Sequence, residues 1–439
     1  MTIRPTTGDS SWFTRDRFGL FIHWGLYSMP ARHEWVKNVE RISNENYEKY
    51  FKHFEPDLYD PELWASAAAD AGMKYFVITT KHHEGFCLWD TKLTDYKAPA
   101  APNCRRDLLT PMVQAFRSHG LRTGLYHSLI DWHHPDYIVD TSNHPHRGLP
   151  TDELAKLNAG RDQGKYADYL RAQVRELLTE FGKIDVLWFD FSFPFHKDAA
   201  DFVTGKGHLA WKSRELLKTI RELQPQVLLD NRLDLKDDPT SWDFATPEQA
   251  QPRNWVEVEG TRVVWEACQT FSGSWGYHRD EQSWRSTNEL IRTLIDCVSK
   301  GGNLLLNVGP TGRGEFDVRA IDRLQGIGKW MRQHNRSIYG CTEAPADIKA
   351  PQDARLTYNP ETKRLYVHLF AYPYKHVYID GLSPERVAYA QFLHDASEIT
   401  IGMDAWHGSQ LNIGAETLAL NIPQMQPSVE VPVIEIYLK

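Results

Sequence analysis

From Gly19 to Val308 the chain repeats one rhythm: a short apolar run, then a longer stretch in which apolar residues recur every three to four positions. The short runs lie at 19–24, 75–80, 122–127, 184–190, 227–231, 263–266 and 303–308, and helical spacing occupies 61–71, 108–119, 166–181, 210–222 and 286–299. Strands that are apolar almost throughout are buried on both faces, the condition of a parallel sheet covered by its crossover helices. The pattern predicts a (β/α)8-like TIM barrel of the α/β class, with roughly seven of its eight strands visible. Beyond Cys341 the period changes to two. Segments 364–370, 377–379, 399–401 and 431–438 alternate between turns rich in Gly, Pro, Asn and Asp, which predicts a C-terminal antiparallel β-sandwich. The expected division is a barrel over 1–341 and a sandwich over 342–439, with no internal repeat.

In such barrels the carboxyl ends of the strands carry the chemistry. Here those ends hold His23 and Trp24, then Lys81, His82, His83 and Glu84, then Tyr126 and His127, Asp190, Asn231 and Arg232, Glu266, and Asn307. One polar strand end is ordinarily a cap or a turn residue, but this many on one rim point to a site for a polar ligand. Asp190 closes an apolar strand, which holds its carboxylate rigid and partly desolvated, as a nucleophile or general base requires. The alternative is a helix N-cap, against which Phe191-Ser192-Phe193-Pro194 delays any following helix. The carboxylates available to partner it are Glu34, Glu84, Glu248 and Glu266.

Composition narrows the ligand. Fifty Lys and Arg against 58 Asp and Glu leave a net charge of −8 with no dense basic block, so neither nucleic acid nor a membrane is an expected partner. The five scattered cysteines form no CxxC pair, and no apolar run suits a signal core or a membrane span, so a reducing, cytoplasmic setting is expected. The pairs His82-His83 and His133-His134 lack HxH or HExxH spacing, and neither a metal nor a cofactor is expected. Gly301-Gly302 and the glycines at 309, 312 and 314 lack the ending of a phosphate loop and are expected to form tight turns. With 15 Trp, 19 Tyr, 19 Phe and 19 His, flat faces are interleaved with hydrogen-bonding groups, a surface suited to sugars. Trp242, Trp255, Trp265, Trp275 and Trp284 cluster in sequence, and at least one is expected to stack on the ligand. Two carboxylates in such a mouth are the equipment of glycoside hydrolysis.

At these residues the sequence resembles glycoside hydrolase family 29, the retaining α-L-fucosidases. The resemblance rests on ordered blocks: Phe18-Gly19-Leu20-Phe21-Ile22-His23-Trp24-Gly25, Glu34-Trp35, Thr79-Thr80-Lys81-His82-His83-Glu84-Gly85-Phe86, Gly124-Leu125-Tyr126, Leu187-Trp188-Phe189-Asp190, Trp265-Glu266, Ser274-Trp275-Gly276-Tyr277, and the run from Val298 to Pro310. It implies Asp190 as nucleophile and a fucose site built from His23, Glu34, Trp35, His82, His83, Tyr126, Trp188, Arg232 and Trp275. His127 departs from the second Tyr of many members. The implied acid/base is Glu248, with Glu266 the fallback because strand-end logic favours it. The expected activity is a retaining exo-glycosidase that releases terminal α-L-fucose from oligosaccharides or glycoconjugates through a covalent glycosyl-enzyme. The alternatives are a glycosidase for a related sugar such as an α-L-galactoside, or an inactive carbohydrate-binding homologue.

Overall fold

The computed structural model describes residues 2–194, 202–402, 405–411 and 413–439. Eight parallel strands make the barrel: β1 (Phe18–Ile22), β2 (Tyr75–Lys81), β3 (Arg122–Ser128), β4 (Val186–Asp190), β5 (Leu228–Leu229), β6 (Phe244–Ala245), β7 (Val264–Thr270) and β8 (Asn303–Val308). They run in the order β5-β4-β3-β2-β1-β8-β7-β6. A parallel bridge from Asp230 to Phe244 joins the two edges and closes the ring. The strand absent from the apolar pattern is β6, whose two residues are too few to make a run. β7 extends to Thr270, four residues past the apolar segment read from sequence, and this shifts Glu266 from a strand end into the strand's interior.

The period of two decides what enters the barrel. Leu20, Ile22, Leu187, Phe189, Leu304 and Leu306 pack outward under the helices, whereas Phe21, Tyr75, Val77, Tyr126, Val186, Trp188 and Leu305 fill the interior. Trp12 and Phe13 join this inner cluster from the N-terminal turn, Phe13 touching both Tyr75 and Phe244. Gly19 is glycine because the Tyr75 ring crosses the barrel there, and a Cβ would lie 2.4 Å from a ring carbon. Following the same parity past the last apolar residue, Phe21 leads to His23 and Trp188 leads to Asp190, both aimed into the mouth.

The covering helices are α1 (Pro61–Asp70), α2 (Leu109–Ser118), α3 (Gln163–Glu180), α4 (Ser213–Leu223), α5 (Thr287–Val298) and α6 (Val318–His334). Their starts are chemically marked. Asp60 caps α1 ahead of Pro61, and Ser286 with Glu289 forms a capping box on α5. The helix read at 210–222 is broken at Lys212, whose φ of 48° ends one short turn and starts α4. Among the described residues no helix joins β5 to β6 or β6 to β7; the latter connection carries only the hairpin of Glu257–Val258 and Thr261–Arg262.

The remaining chain forms two antiparallel sheets. One holds β9 (Thr342–Glu343), β10 (Ala354–Asn359), β11 (Arg364–Leu369), β16 (Val433–Leu438) and β13 (Val387–Phe392) in that order; the other holds β12 (His376–Asp380), β15 (Thr417–Asn421) and β14 (Thr400–Ile401). Leu356, Val367, Ile379, Phe392, Leu420 and Ile436 lie in their shared core. β9, β10, β13 and β15 lie outside the segments read from sequence; in β13 the stretch Val387-Ala388-Tyr389-Ala390-Gln391 has little apolar–polar contrast. The sandwich is docked firmly on the barrel: Tyr366, Leu393, Val431 and Val433 share a cluster with Trp330, Met331 and Ile338. Ion pairs Arg336–Glu435 (2.9 Å) and Arg355–Asp296 (2.7 Å) flank the seam.

Candidate active site

The barrel mouth opens into a pocket enclosing about 330 Å³ of space, its open entrance included. β1 contributes Phe21 and the residue just past it His23, the loop beyond Glu34 and Trp35, the turn after β2 His82 and His83, β3 Tyr126, β4 Trp188 and Asp190 with Phe191 following, and β7 Cys268. Glu248 and Trp275 come from flanking segments. A wider cleft of about 780 Å³ adjoins it, running past Phe191 and Arg232 to Ser192, Asn231, Asp234, Lys236 and Thr246. A still larger groove of about 1200 Å³ lies against α5 and the sandwich, and none of the candidate site residues lines it.

Two carboxylates meet in the mouth. Arg232 stands between them, its Nη1 2.7 Å from Asp190 Oδ1 and its Nη2 2.7 Å from Glu248 Oε2. Asp190 Oδ2 accepts from the Tyr126 hydroxyl at 2.9 Å. The side chains are 14% exposed at Asp190 and 42% at Glu248, so one carboxylate is deep and the other faces the open side. Burial raises Asp190 above the usual aspartate range, with Arg232 pulling the other way. Arg232 is itself nearly enclosed. Its Nε donates to Thr246 Oγ1 at 3.0 Å, and its guanidinium sits 4.6 Å over the Trp188 ring. Burial works to lower it, but Asp190 and the acids behind it more than offset this and raise it.

Glu248 reaches the mouth on a segment laid along β7 and not on a free loop. Glu248 pairs in parallel with Cys268; Cys268 N donates to Pro247 O at 3.1 Å and Gln249 N to Cys268 O at 3.0 Å. Gln249, with φ of 47°, then turns the chain away while its side chain holds Thr270. The segment thus extends the two-residue β6 on the same edge of β7.

The remaining polar groups are aligned by their outer partners. Asn307 Nδ2 donates to Trp275 O (2.7 Å), which orients its amide so that Oδ1 accepts from His23 Nδ1 (2.6 Å). Ser128 Oγ donates to Ile130 O (2.8 Å) and so accepts from His83 Nδ1 (2.6 Å). Both rings are therefore assigned the tautomer with the proton on Nδ1, presenting an Nε2 lone pair to the cavity. Burial keeps them neutral, lowering His23 to about 3 and His82 and His83 well below the usual range. Glu34 Oε2 accepts from the Trp275 and Gly276 amides (3.1 and 2.8 Å), and burial nevertheless raises it.

A sequence model described as Alpha-L-fucosidase matches residues 6–336, nearly the whole barrel. The chain belongs to the α-L-fucosidase family. It is a glycoside hydrolase of family 29. It is 27% identical to the α-L-fucosidase of Dictyostelium discoideum over 469 residues, spanning 99% of this chain and 92% of that protein. Among solved structures, α-L-fucosidase isoenzyme 1 from Paenibacillus thiaminolyticus superposes with a TM-score of 0.89 at 44% identity, covering 98% of each chain. A family 29 fucosidase from Bacteroides thetaiotaomicron, solved as a trapped covalent intermediate with 2-fluoro-fucosyl fluoride, gives 0.82 at 25% identity, covering 100% of this chain and 98% of that one.

Against this fucosidase frame, the mouth gathers His23, Glu34, Trp35, His82, His83, Tyr126, Trp188, Asp190, Glu248 and Trp275 around one cavity, with Arg232 between the two carboxylates. Glu266 is elsewhere. Parity and the length of β7 place it inside the barrel, fully buried, accepting from the Tyr75 hydroxyl, and burial pushes it up to about 8. It does not line the cavity, and the fallback assignment is corrected on that ground. Glu84 is likewise spent on structure, accepting from Leu26 N (2.9 Å) and the Tyr47 hydroxyl. Of the five clustered tryptophans only Trp275 lines the cavity. Trp242 lies under Arg4 and Trp284 against Arg319 and Arg323, while Trp255 and Trp265 lie flat on Gly301 and Gly302, where a Cβ would come within 2.0 and 2.3 Å of their rings. Gly301 also turns the chain after α5 with a φ of 74°, so the expected tight turn and the packing both call for glycine. His127 faces Thr80 (3.0 Å) outside the mouth, and His133 stacks on Tyr96.

Phe21, Phe191 and Cys268 line the cavity without having been singled out. Phe21 and Cys268 share the parity of His23 and Glu266, a signal available once strand ends are known. Phe191 had none: its φ of 78°, rare for an aromatic residue, turns its ring against Trp35 and His83.

Proposed function

We propose that this enzyme releases terminal α-L-fucose from oligosaccharides or glycoconjugates with retention of configuration. The observation that carries the reading is the pair Asp190 and Glu248 held on one guanidinium, one buried and one facing out. One guanidinium bridging both carboxyls keeps them close enough to flank a single glycosidic bond, and the similar family 29 fucosidase trapped as a covalent intermediate supports the retaining course. Asp190 attacks the anomeric carbon, and Glu248 protonates the departing oxygen and later deprotonates water. The Nε2 lone pairs of His23 and His83 accept sugar hydroxyls, Glu34 accepts another, and Trp275 covers an apolar face. A network of this kind discriminates by leaving buried groups unpaired when a hydroxyl is misplaced. The cleft beside Arg232 is the room for the leaving group. The five unpaired, buried cysteines accord with a reducing, cytoplasmic setting.

The test is hydrolysis of an aryl α-L-fucoside beside the α-L-galactoside, with the product anomer read by NMR, followed by Glu248→Ala. The variant should lose little on activated aryl fucosides, whose leaving groups need no proton, and two or more orders of magnitude on poor leaving groups. Equal loss on both kinds would take Glu248 out of the acid role, and absence of fucoside turnover would leave a carbohydrate-binding protein.

A further inference from the structure

The groove against α5 and the sandwich takes no part in the reaction proposed above, yet its walls are strongly biased in charge. Arg253, Arg285, Arg292, Lys300 and Arg355 line it against one carboxylate, Asp296, on a chain whose net charge is −8. Asp296 is already committed: Lys300 Nζ lies 2.5 Å from its Oδ2 and Arg355 Nε 2.7 Å from its Oδ1. The other three cations meet no carboxylate within ion-pair distance among the described residues. Arg285 donates to neutral acceptors, Gln269 Oε1 at 2.9 Å and the Thr293 hydroxyl. Arg292 donates to Phe370 O at 2.6 Å, and the guanidiniums of Arg292 and Arg355 stand 5.1 and 5.4 Å from the one Phe370 ring. Glu289, the acid acting on Arg285 through space, is spent in the capping box of Ser286. Half-buried guanidiniums without a counter-charge are costly to hold, and burial lowers Arg285 accordingly. An anion brought in from solution would relieve that cost.

Two features choose the anion. The cations are strung out: Arg285 precedes α5, Arg292 lies on it and Lys300 follows it, so they span the about 18 Å of that helix, more than a single inorganic anion can bridge. The groove also starts at the sugar site. Its lining residue Gln249 directly follows Glu248 of the mouth, and the segment 249–253 continues as a groove wall, where Pro252 O accepts from Lys300 Nζ at 2.7 Å. Resting on the fucosidase reading above, we propose that this groove binds the anionic remainder of a fucosylated glycan, a chain bearing sulfate or carboxylate groups, while the terminal fucose occupies the mouth. The forked N–H groups of arginine match the paired oxygens of such groups. Arg285 and Arg292 are steadied by their neutral partners and keep charge to spare for a ligand, and Arg253 stands exposed beside them. The preferred substrate is thus a fucose carried on an acidic oligosaccharide.

The experiment titrates three fucose-free hexasaccharides into the native enzyme at low salt: chondroitin sulfate, unsulfated chondroitin, which carries carboxylates alone, and neutral chitohexaose, with an oligothymidylate of matching charge beside them. Chondroitin sulfate should bind about tenfold or more tighter than chitohexaose and lose affinity as salt is raised; the unsulfated chain tells whether sulfate or carboxylate is read. Arg253→Glu and Arg292→Gln should each weaken that binding by about tenfold. Because Arg253 is exposed, its variant tests the groove whatever loss of the Phe370 contact does to Arg292→Gln. Competition ties the groove to the mouth: chondroitin sulfate should inhibit hydrolysis of a fucosylated chondroitin sulfate oligosaccharide competitively, and leave hydrolysis of an aryl α-L-fucoside untouched. Equal binding of all three hexasaccharides, or binding indifferent to Arg253→Glu, would overturn the site. Tighter binding of the oligothymidylate would make it a nucleic-acid surface, and inhibition of aryl fucoside hydrolysis would put the anion in the mouth; either overturns the proposal. If the native enzyme turns over no fucoside at all, it is the fucosidase reading that has failed, a result independent of the titrations.

Discussion

Glu266 offers a quantitative test of the barrel interior, because it is an acid buried without a cation to pair with. Tyr75 donates to one of its oxygens and the Trp188 indole N–H faces the carboxyl as a second, neutral contact. Ordinarily near 4.5, it holds its proton up to about 8 because burial disfavours the charge. Below 4.5 the folded and unfolded chains are both protonated and pH has no effect through this group. Between 4.5 and 8 the unfolded chain ionises while the folded one does not, so folding requires uptake of a proton and stability falls as pH rises. The loss is about 1.4 kcal/mol per pH unit, roughly 5 kcal/mol across the window and about 3 of it by pH 7. Glu266→Gln is neutral in both states and escapes it. Its baseline can lie below the native enzyme's at pH 4, since an amide fits Tyr75 differently, but its advantage should grow steadily with pH and level off near 8. For a chain of this length that slope is on the order of 1.5 °C in Tm per pH unit. Thermal or urea unfolding of both proteins at half-unit steps from pH 4 to 9 gives the difference curve directly. Parallel curves would mean that Glu266 is ionised in the folded state, and that this interior is more polar than its lining of Tyr75, Trp188 and Val264 implies.

Asp190→Ala should fold normally and lose turnover by about three orders of magnitude or more, with azide restoring part of it on an activated substrate as a glycosyl azide of inverted configuration; near-native turnover without azide would remove Asp190 from the reaction. Dialysis against a strong chelator should leave activity unchanged; a loss reversed by zinc or calcium would overturn the metal-free reading. Gly302→Ala drives a Cβ into the Trp265 ring and should destabilise by roughly 1–3 kcal/mol, while the fraction that remains folded at low temperature turns over normally; a selective loss of kcat would point to a part in the mouth that the packing does not suggest.

The deep half of the site was legible in the sequence because alternation does the pointing. His23 and Asp190 follow apolar strands whose parity is unambiguous, so their direction is known as soon as the strands are. The outer half was less so. Glu248 sits on an extension of a two-residue strand, held by backbone hydrogen bonds to Cys268 that no side-chain pattern records. Its position came from resemblance alone, and from sequence it looked like part of a loop. Glu266 misled for a related reason: an apolar run shows where a strand begins more clearly than where it ends, and four further residues of β7 carried a supposed rim residue into the core. Trp255 and Trp265 look like binding surface in composition and prove to be partners of glycines 301 and 302. The difference lies in a contact between residues about 40 positions apart.

The seam between barrel and sandwich also bears on how such a gene can be rearranged. Trp330 donates its indole N–H to the Val431 carbonyl and shares an apolar cluster with Tyr366 and Val433. A recombination event that carried off the barrel alone would leave Trp330, Met331 and Ile338 uncovered on α6 and the turn after it. Such a fragment would be prone to aggregate before it had a chance to be selected for activity. Removal of the sandwich is therefore expected to cost the barrel its solubility. New specificities are expected to arise by exchange of loops around the mouth, not by shuffling of whole modules.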